Sequence, residues 1–145
     1  MNQLFEMFGP SLVLLITVIG VVIGVGIGGT AVLGVIKRYK NEDKSIPWVI
    51  LSFAGSPIVG VIYSYVLMQQ MLEITITPEN EGILLNYSIG VGLVIALAMI
   101  VMGKLGSVAC KDPDVIQKAS LHLIKIGAVN TVALFAMVFA MINLP

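Results

Sequence analysis

The chain has 145 residues, of which 58% are hydrophobic and only 11% carry a charged side chain. Soluble domains average about 25% charged residues, so this composition argues against a water-soluble protein. The formal net charge is zero, but the charges are confined to short segments, and the intervals between them have the length that a bilayer requires.

Four long apolar runs follow one another along the chain. Three contain no charged residue or histidine, and the fourth carries His122 and Lys125 only in its first turns. Each exceeds the ~20 residues that a helix needs to cross a hydrocarbon core about 30 Å thick. Barrel strands would be ~10 residues long and alternate in polarity, so helices are predicted. The runs cover residues 7–36, 45–72, 82–103 and 121–144.

The first run differs from a signal peptide in three respects. It has no basic segment before it, it is too long for the apolar part of a signal peptide, and it continues directly into a basic loop. We therefore expect it to belong to the mature protein.

The three connections between the runs differ in charge. The second, residues 73–82, contains three glutamates and no cation, whereas all Lys and Arg residues lie in or beside the other two. By the positive-inside rule, the first and third connections face the cytoplasm and both termini are extracytoplasmic. The eight cations are Lys37, Arg38, Lys40, Lys44, Lys104, Lys111, Lys118 and Lys125.

The glycines of the first run permit two interpretations. Gly24, Gly26 and Gly29 match the dinucleotide-binding pattern G-x-G-x-x-G, but that function requires a preceding strand and a helix that begins at the motif. Gly20, Gly24 and Gly28 recur every fourth residue and form one smooth helix face. Such faces let membrane helices approach closely. We therefore interpret these three glycines as packing residues within an oligomeric ring.

The second half of the chain resembles the first. Ser88, Gly92 and Ala96 repeat the small-residue spacing in the third run, and residues 58–63 can be laid against residues 130–135, an offset of 72 positions. This indicates an internal duplication. The predicted architecture is all-α, with a first transmembrane hairpin at 1–72, an extracytoplasmic loop at 73–82 and a second hairpin at 83–145.

Three segments resemble the proteolipid subunit, K or c, of V-type and A-type rotary ATPases. PIVGVIY at 57–63 is similar to the family's Pro-x-Thr-Gln-x-Ile-Tyr, and VNTVALF at 129–135 is similar to its Glu-Thr-x-Ala-Leu. MGK at 102–104, continuing to KDP at 111–113, looks like its Gln-Gly-Lys and Lys-x-Pro turn. The resemblance implies a ring of many copies that contacts lipids, a stator and a central stalk, and transports protons or sodium ions during ATP synthesis or hydrolysis, without a cofactor.

The residues at the family's ion site differ from its pattern. The essential mid-membrane glutamate corresponds to Asn130, and an amide neither releases a proton nor neutralises a cation. The family's other polar positions correspond to Val59, Gly60 and Met102, with Thr131 and Tyr63 beside them. This combination indicates a subunit that does not itself move ions. Asn130 is expected to hydrogen-bond across helices, or else to be a polar remnant that contacts an ion or water.

Two classes of function therefore stay open. The chain is either a rotor-ring proteolipid, in particular a non-translocating one, or a proteolipid-like structural or pore-forming ring that is not coupled to ATP hydrolysis. Basic patches that would bind nucleic acid, metal-ligand spacings and catalytic motifs are absent from the sequence. Cys110 is expected to be a structural thiol, Tyr63 a core residue, and His122 and Lys125 side chains that extend towards the membrane surface.

Overall fold

The computed structural model describes residues 8–145, so the start of the first predicted run, at residue 7, lies outside the described part. Within it, all regular elements are helical, and there is no β-strand. The elements are α1 (Ser11–Asn41), α2 (Trp48–Gly55), a 3₁₀ turn (Ser56–Ile58), α3 (Val59–Leu72), α4 (Glu81–Lys111) and α5 (Ala119–Asn143).

Four helical segments are long and apolar enough to cross a membrane, which confirms that part of the prediction. The second of them, Trp48–Leu72, combines α2, the turn and α3. α1 and α4 have 31 residues each, or about 46 Å at 1.5 Å per residue, so their ends extend beyond a hydrocarbon core of about 30 Å. These four helices indicate a multi-pass membrane protein.

The most extensive contact joins α1 and α4, which run parallel. Near the start of both helices, Gly92 of α4 faces Val13 and Ile16 of α1. Further along, Gly20 of α1 faces Ala96 of α4. Beyond these residues, Gly24 faces the backbone at Met99 and Gly103. A Cβ atom at Gly20 would lie 2.5 Å from the carbonyl oxygen of Ala96. The two backbones therefore approach as closely as small residues allow.

The second membrane segment runs antiparallel to α1. Gly28 faces Phe53 of α2, and Gly60 of α3 lies near Val21. α5 packs mainly on α4 and also contacts α3. α4 thus contacts every other helix of the described chain.

The second segment is interrupted at Pro57. Proline has no N–H, so the carbonyl of Phe53, four residues earlier, has no helical partner at this position. Ser56 Oγ donates to that oxygen at 3.4 Å, and Gly28 and Gly106 approach it from two sides, where Cβ atoms would lie 3.0 Å and 2.6 Å away. The freed carbonyl therefore lies at the junction of α1, α2 and α4, where glycine Cα–H groups can contact it.

The parallel packing brings the carboxyl ends of α1 and α4 to the same end of the molecule. All eight Lys and Arg residues lie there with four acidic residues, which leaves an excess of four positive charges. We call this the cationic end. The opposite end carries Glu73, Glu79 and Glu81.

Candidate functional site

A polar pair joins α3 and α5 near the middle of the membrane segments. The hydroxyl of Tyr63 donates to Oδ1 of Asn130 at 3.2 Å, and both residues are half-buried. Asn130 lies at the centre of the 25-residue α5. This is the only hydrogen bond between side chains of α3 and α5 in the described chain.

Tyr63, predicted to be a core residue, is half-buried and packs against the core, and it uses its hydroxyl across the helix interface. Asn130 makes a hydrogen bond across helices, as one of the two interpretations required.

The other four predicted site positions do not add polar ligands to the pair. Thr131 is exposed, and its hydroxyl donates to the Gly127 carbonyl of its own helix at 2.9 Å. Val59 is half-buried and Met102 is buried in the core. Gly60 is covered by Met99, whose Cγ and Sδ would lie 2.5 Å and 2.6 Å from a Cβ atom there.

The polar side chains of the pair at this depth of the membrane are uncharged. The described membrane helices carry no acidic side chain near the pair, and no cluster of His, Cys, Asp or Glu suitable for a metal ion occurs among residues 8–145. A phenol and an amide can exchange hydrogen bonds with water or with each other.

The glycines predicted to pack lie in contacts inside the chain. Gly20 and Gly24 face α4, Gly28 faces both α2 and α4, and Gly92 of α4 faces α1. Gly26 and Gly29, the remaining members of the G-x-G-x-x-G match, have open space where a Cβ atom would be.

A second polar cluster lies at the cationic end, between α4 and α5. Nε2 of His122 is 3.3 Å from Oδ2 of Asp112, and the imidazole and Phe53 rings are nearly perpendicular, with centroids 6.2 Å apart. Lys118 pairs with Asp114 at 3.1 Å and with Asp112 at 3.5 Å. These contacts hold together the turn that connects α4 and α5.

The prediction that His122 extends towards the membrane surface is wrong, because its ring is buried. Asp112 and Phe53 give it a polar and an aromatic contact inside the protein. The signal in the sequence was the Asp-Pro turn only ten residues earlier, which places an acid beside the first turns of α5. Lys125, by contrast, is exposed.

The carboxylate of Asp112 is stabilised in its charged form. The backbone N–H of Asp114 donates to Oδ1 of Asp112 at 2.9 Å. This hydrogen bond holds the pKa of Asp112 below its ordinary value, and His122 and Lys118 lower it further against the opposing effect of partial burial. The carboxylates of Asp114 and Asp112 in turn raise the pKa of Lys118.

Comparisons with known proteins add no identification. No protein-family model matches the sequence, and no curated protein matches it. The resemblance to rotor-ring proteolipids therefore rests on the sequence motifs alone.

Proposed function

We propose that the chain is a proteolipid-type membrane subunit that assembles with copies of itself and does not carry ions across the membrane. Of the two classes left open by the sequence, we favour membership of a rotary-ATPase ring as a non-translocating subunit, which would contact stator and central-stalk subunits. The alternative is a structural or pore-forming ring that is not coupled to ATP hydrolysis.

The assembly part of the proposal is supported by the helix arrangement. The two glycine-rich helices, α1 and α4, pack in parallel. α1 contacts the antiparallel α2–α3 segment, and α4 contacts both that segment and the antiparallel α5. Two tandem helical hairpins would likewise place each glycine-rich helix beside the antiparallel segment that follows it in the chain. The broad apolar surfaces left exposed on α3 and α5 suit contact with lipid or with further copies.

The non-translocating part depends on one observation, the neutral hydrogen bond between Tyr63 and Asn130 at mid-membrane. A rotor needs a group that is charged in one position and neutralised in another. An amide that accepts from a phenol has no such pair of states. Val59, Gly60 and Met102 offer no side-chain oxygen that would bind a cation in its place.

The first experiment measures ion flux. Purified chain in sealed vesicles should conduct protons and sodium ions no faster than empty vesicles, and Asn130→Leu should behave identically. Robust flux that disappears in Asn130→Leu would contradict the proposal, because the amide would then take part in transport. Asn130→Glu alone should not create flux, since the neighbouring positions lack oxygen ligands.

Labelling with a carbodiimide tests the same point without a flux measurement. The reagent modifies a protonated buried carboxyl, so the native chain should remain unlabelled at mid-membrane, whereas Asn130→Glu should be labelled and serves as the positive control. Mass analysis of the peptide that contains residue 130 gives the result. A labelled native membrane peptide would contradict the assignment.

Affinity purification from native membranes separates the two classes of ring. Co-purification with nucleotide-binding subunits supports membership of a rotary ATPase. Recovery of the chain with only its own copies and lipids supports the uncoupled ring.

A further inference from the structure

A pocket of about 370 Å³ opens between α1 and α4 at the cationic end. Ala31, Gly34 and Val35 form an apolar part, and Arg38 and Lys111 supply positive charge. Arg38 lies seven residues beyond Ala31 on α1, a distance of about 10 Å along the helix axis. The pocket thus changes from apolar to cationic along the membrane normal.

Its position corresponds to the boundary between hydrocarbon and headgroups. α1 is uncharged through Ile36, and its first cations follow directly. Arg38 therefore lies where the apolar helix surface ends, with its guanidinium 5.9 Å from the ring centroid of Tyr39.

The two cations of the pocket are available to an external anion. Among the described residues, neither Arg38 nor Lys111 has an acidic partner within 4.0 Å, whereas Lys44 and Lys118 are paired with carboxylates. The excess of four positive charges at this end attracts anions in addition.

We propose that this pocket binds an anionic phospholipid. Its phosphate lies between Arg38 and Lys111, and an acyl chain lies along Ala31, Gly34 and Val35. Basic pockets between membrane helices bind lipid headgroups by such a combination of charge and depth. A soluble anion would occupy only the cationic part, whereas a phospholipid matches both parts. The inference goes beyond the proposed function and does not depend on it.

The first test removes the charge of the pocket. Binding of phosphatidylglycerol to the purified protein is measured by native mass spectrometry, with phosphatidylcholine as the neutral reference. Arg38→Gln combined with Lys111→Gln should weaken phosphatidylglycerol binding by about tenfold or more, as expected for the loss of two cations near the membrane surface. The matched control is Lys104→Gln with Lys125→Gln, which removes two exposed cations outside the pocket.

The second test fills the pocket without changing its charge. A Cβ atom at Gly34 would have no neighbouring atom of another residue within 4 Å, so Gly34→Leu should fold normally while it blocks the acyl-chain part. Gly26→Leu is the control, because Gly26 is equally open on the same helix but lies outside the pocket. We expect weaker lipid binding in Gly34→Leu only.

Three results would overturn the proposal. Equal losses in the pocket variant and the lysine control would mean diffuse attraction to the cationic end. Displacement of bound phosphatidylglycerol by millimolar inorganic phosphate would mean a site for a soluble anion. A change of oligomer size in Gly34→Leu with unchanged lipid binding would mean that a second copy of the chain covers the pocket.

Discussion

The hydrogen bond between Tyr63 and Asn130 joins two membrane helices, α3 and α5, that also contact each other elsewhere. Such bonds between membrane helices contribute about 0.6 kcal/mol on average and up to about 1.7 kcal/mol. Its value for the fold is therefore modest, and its main effect is to specify how α3 lies against α5.

Tyr63→Phe should destabilise the protein by about 0.6 to 1.7 kcal/mol, because it removes the donor and leaves the ring in place. The measurement is the unfolding free energy in a mild detergent. Tyr65→Phe is the control, since Tyr65 lies on the same helix, is half-exposed and makes no side-chain hydrogen bond within the described chain. Equal effects of the two substitutions would show that the bond to Asn130 does not contribute.

The carboxylate of Asp112 should make stability depend on acid pH. A pKa that is lower in the folded state than in the unfolded chain stabilises the fold above the ordinary carboxyl pKa of about 4. That contribution disappears as the pH falls through the folded-state pKa, when the carboxylate becomes protonated in both states.

Asp112→Asn should therefore lower the melting temperature at pH 7 and flatten its decrease below about pH 4. Melting curves of both proteins across this range provide the measurement. Glu79→Gln, an exposed acid at the opposite end, should leave the curve unchanged. A variant at position 112 that still loses stability as steeply as the native chain would assign the acid sensitivity to another group.

At the scale of the helices, the glycines determine how closely α1 approaches its neighbours. Gly24 faces backbone atoms of α4, which have no rotamer that would let them move aside, whereas Gly26, two residues later, faces open space. Bulk should therefore be tolerated at one position and not at the other.

Gly24→Leu should separate α1 from α4 and destabilise the protein. The expected loss of unfolding free energy is about 1–3 kcal/mol or more, as is typical of overpacking in a core. Gly26→Leu should be nearly neutral. Size-exclusion profiles during heating in detergent compare the two variants. Similar melting temperatures would mean that the close approach of α1 and α4 is not important for stability.

The amino-acid sequence predicts the positions of the helices better than it predicts which helices pack against each other. Uninterrupted apolar runs predicted all four segments, because backbone hydrogen bonding inside a bilayer leaves few alternatives. The glycine stripe predicted a close contact but not its partner, since many surfaces fit a smooth face. The uncharged stretch of the third run ends at Gly103, and α4 continues to Lys111, since Lys, Leu and Ala are good helix formers once the helix leaves the hydrocarbon.

The site was predicted less completely for a similar reason. Asn130 was identified from its match to the family's glutamate position, but its bond to Tyr63 depends on the relative rotation of α3 and α5, which no local pattern specifies. His122 and Asp112 lie on either side of a turn whose geometry brings them together. The pocket at Arg38 and Lys111 is formed by the parallel packing of two helices that are distant in sequence.

At the scale of the molecule, the distribution of charge predicts its orientation. With Cys110→Ser as the background, single cysteines at Asn41 and Gln117 should react with a membrane-impermeant maleimide only from the cytoplasmic side, and a cysteine at Glu79 only from the opposite side. All three positions are exposed. Labelling of residue 79 from the cytoplasm would reverse the predicted topology.

The same separation of charge has a consequence for biogenesis. To reverse its orientation in the bilayer after insertion, the molecule would have to carry eight cations through the hydrocarbon. Each cation costs about 3 kcal/mol of free energy at the centre of a membrane helix. For eight cations the costs add up to about 24 kcal/mol, and a barrier of that height is crossed on the order of once a day. The direction that the nascent chain takes during synthesis is therefore retained for many hours.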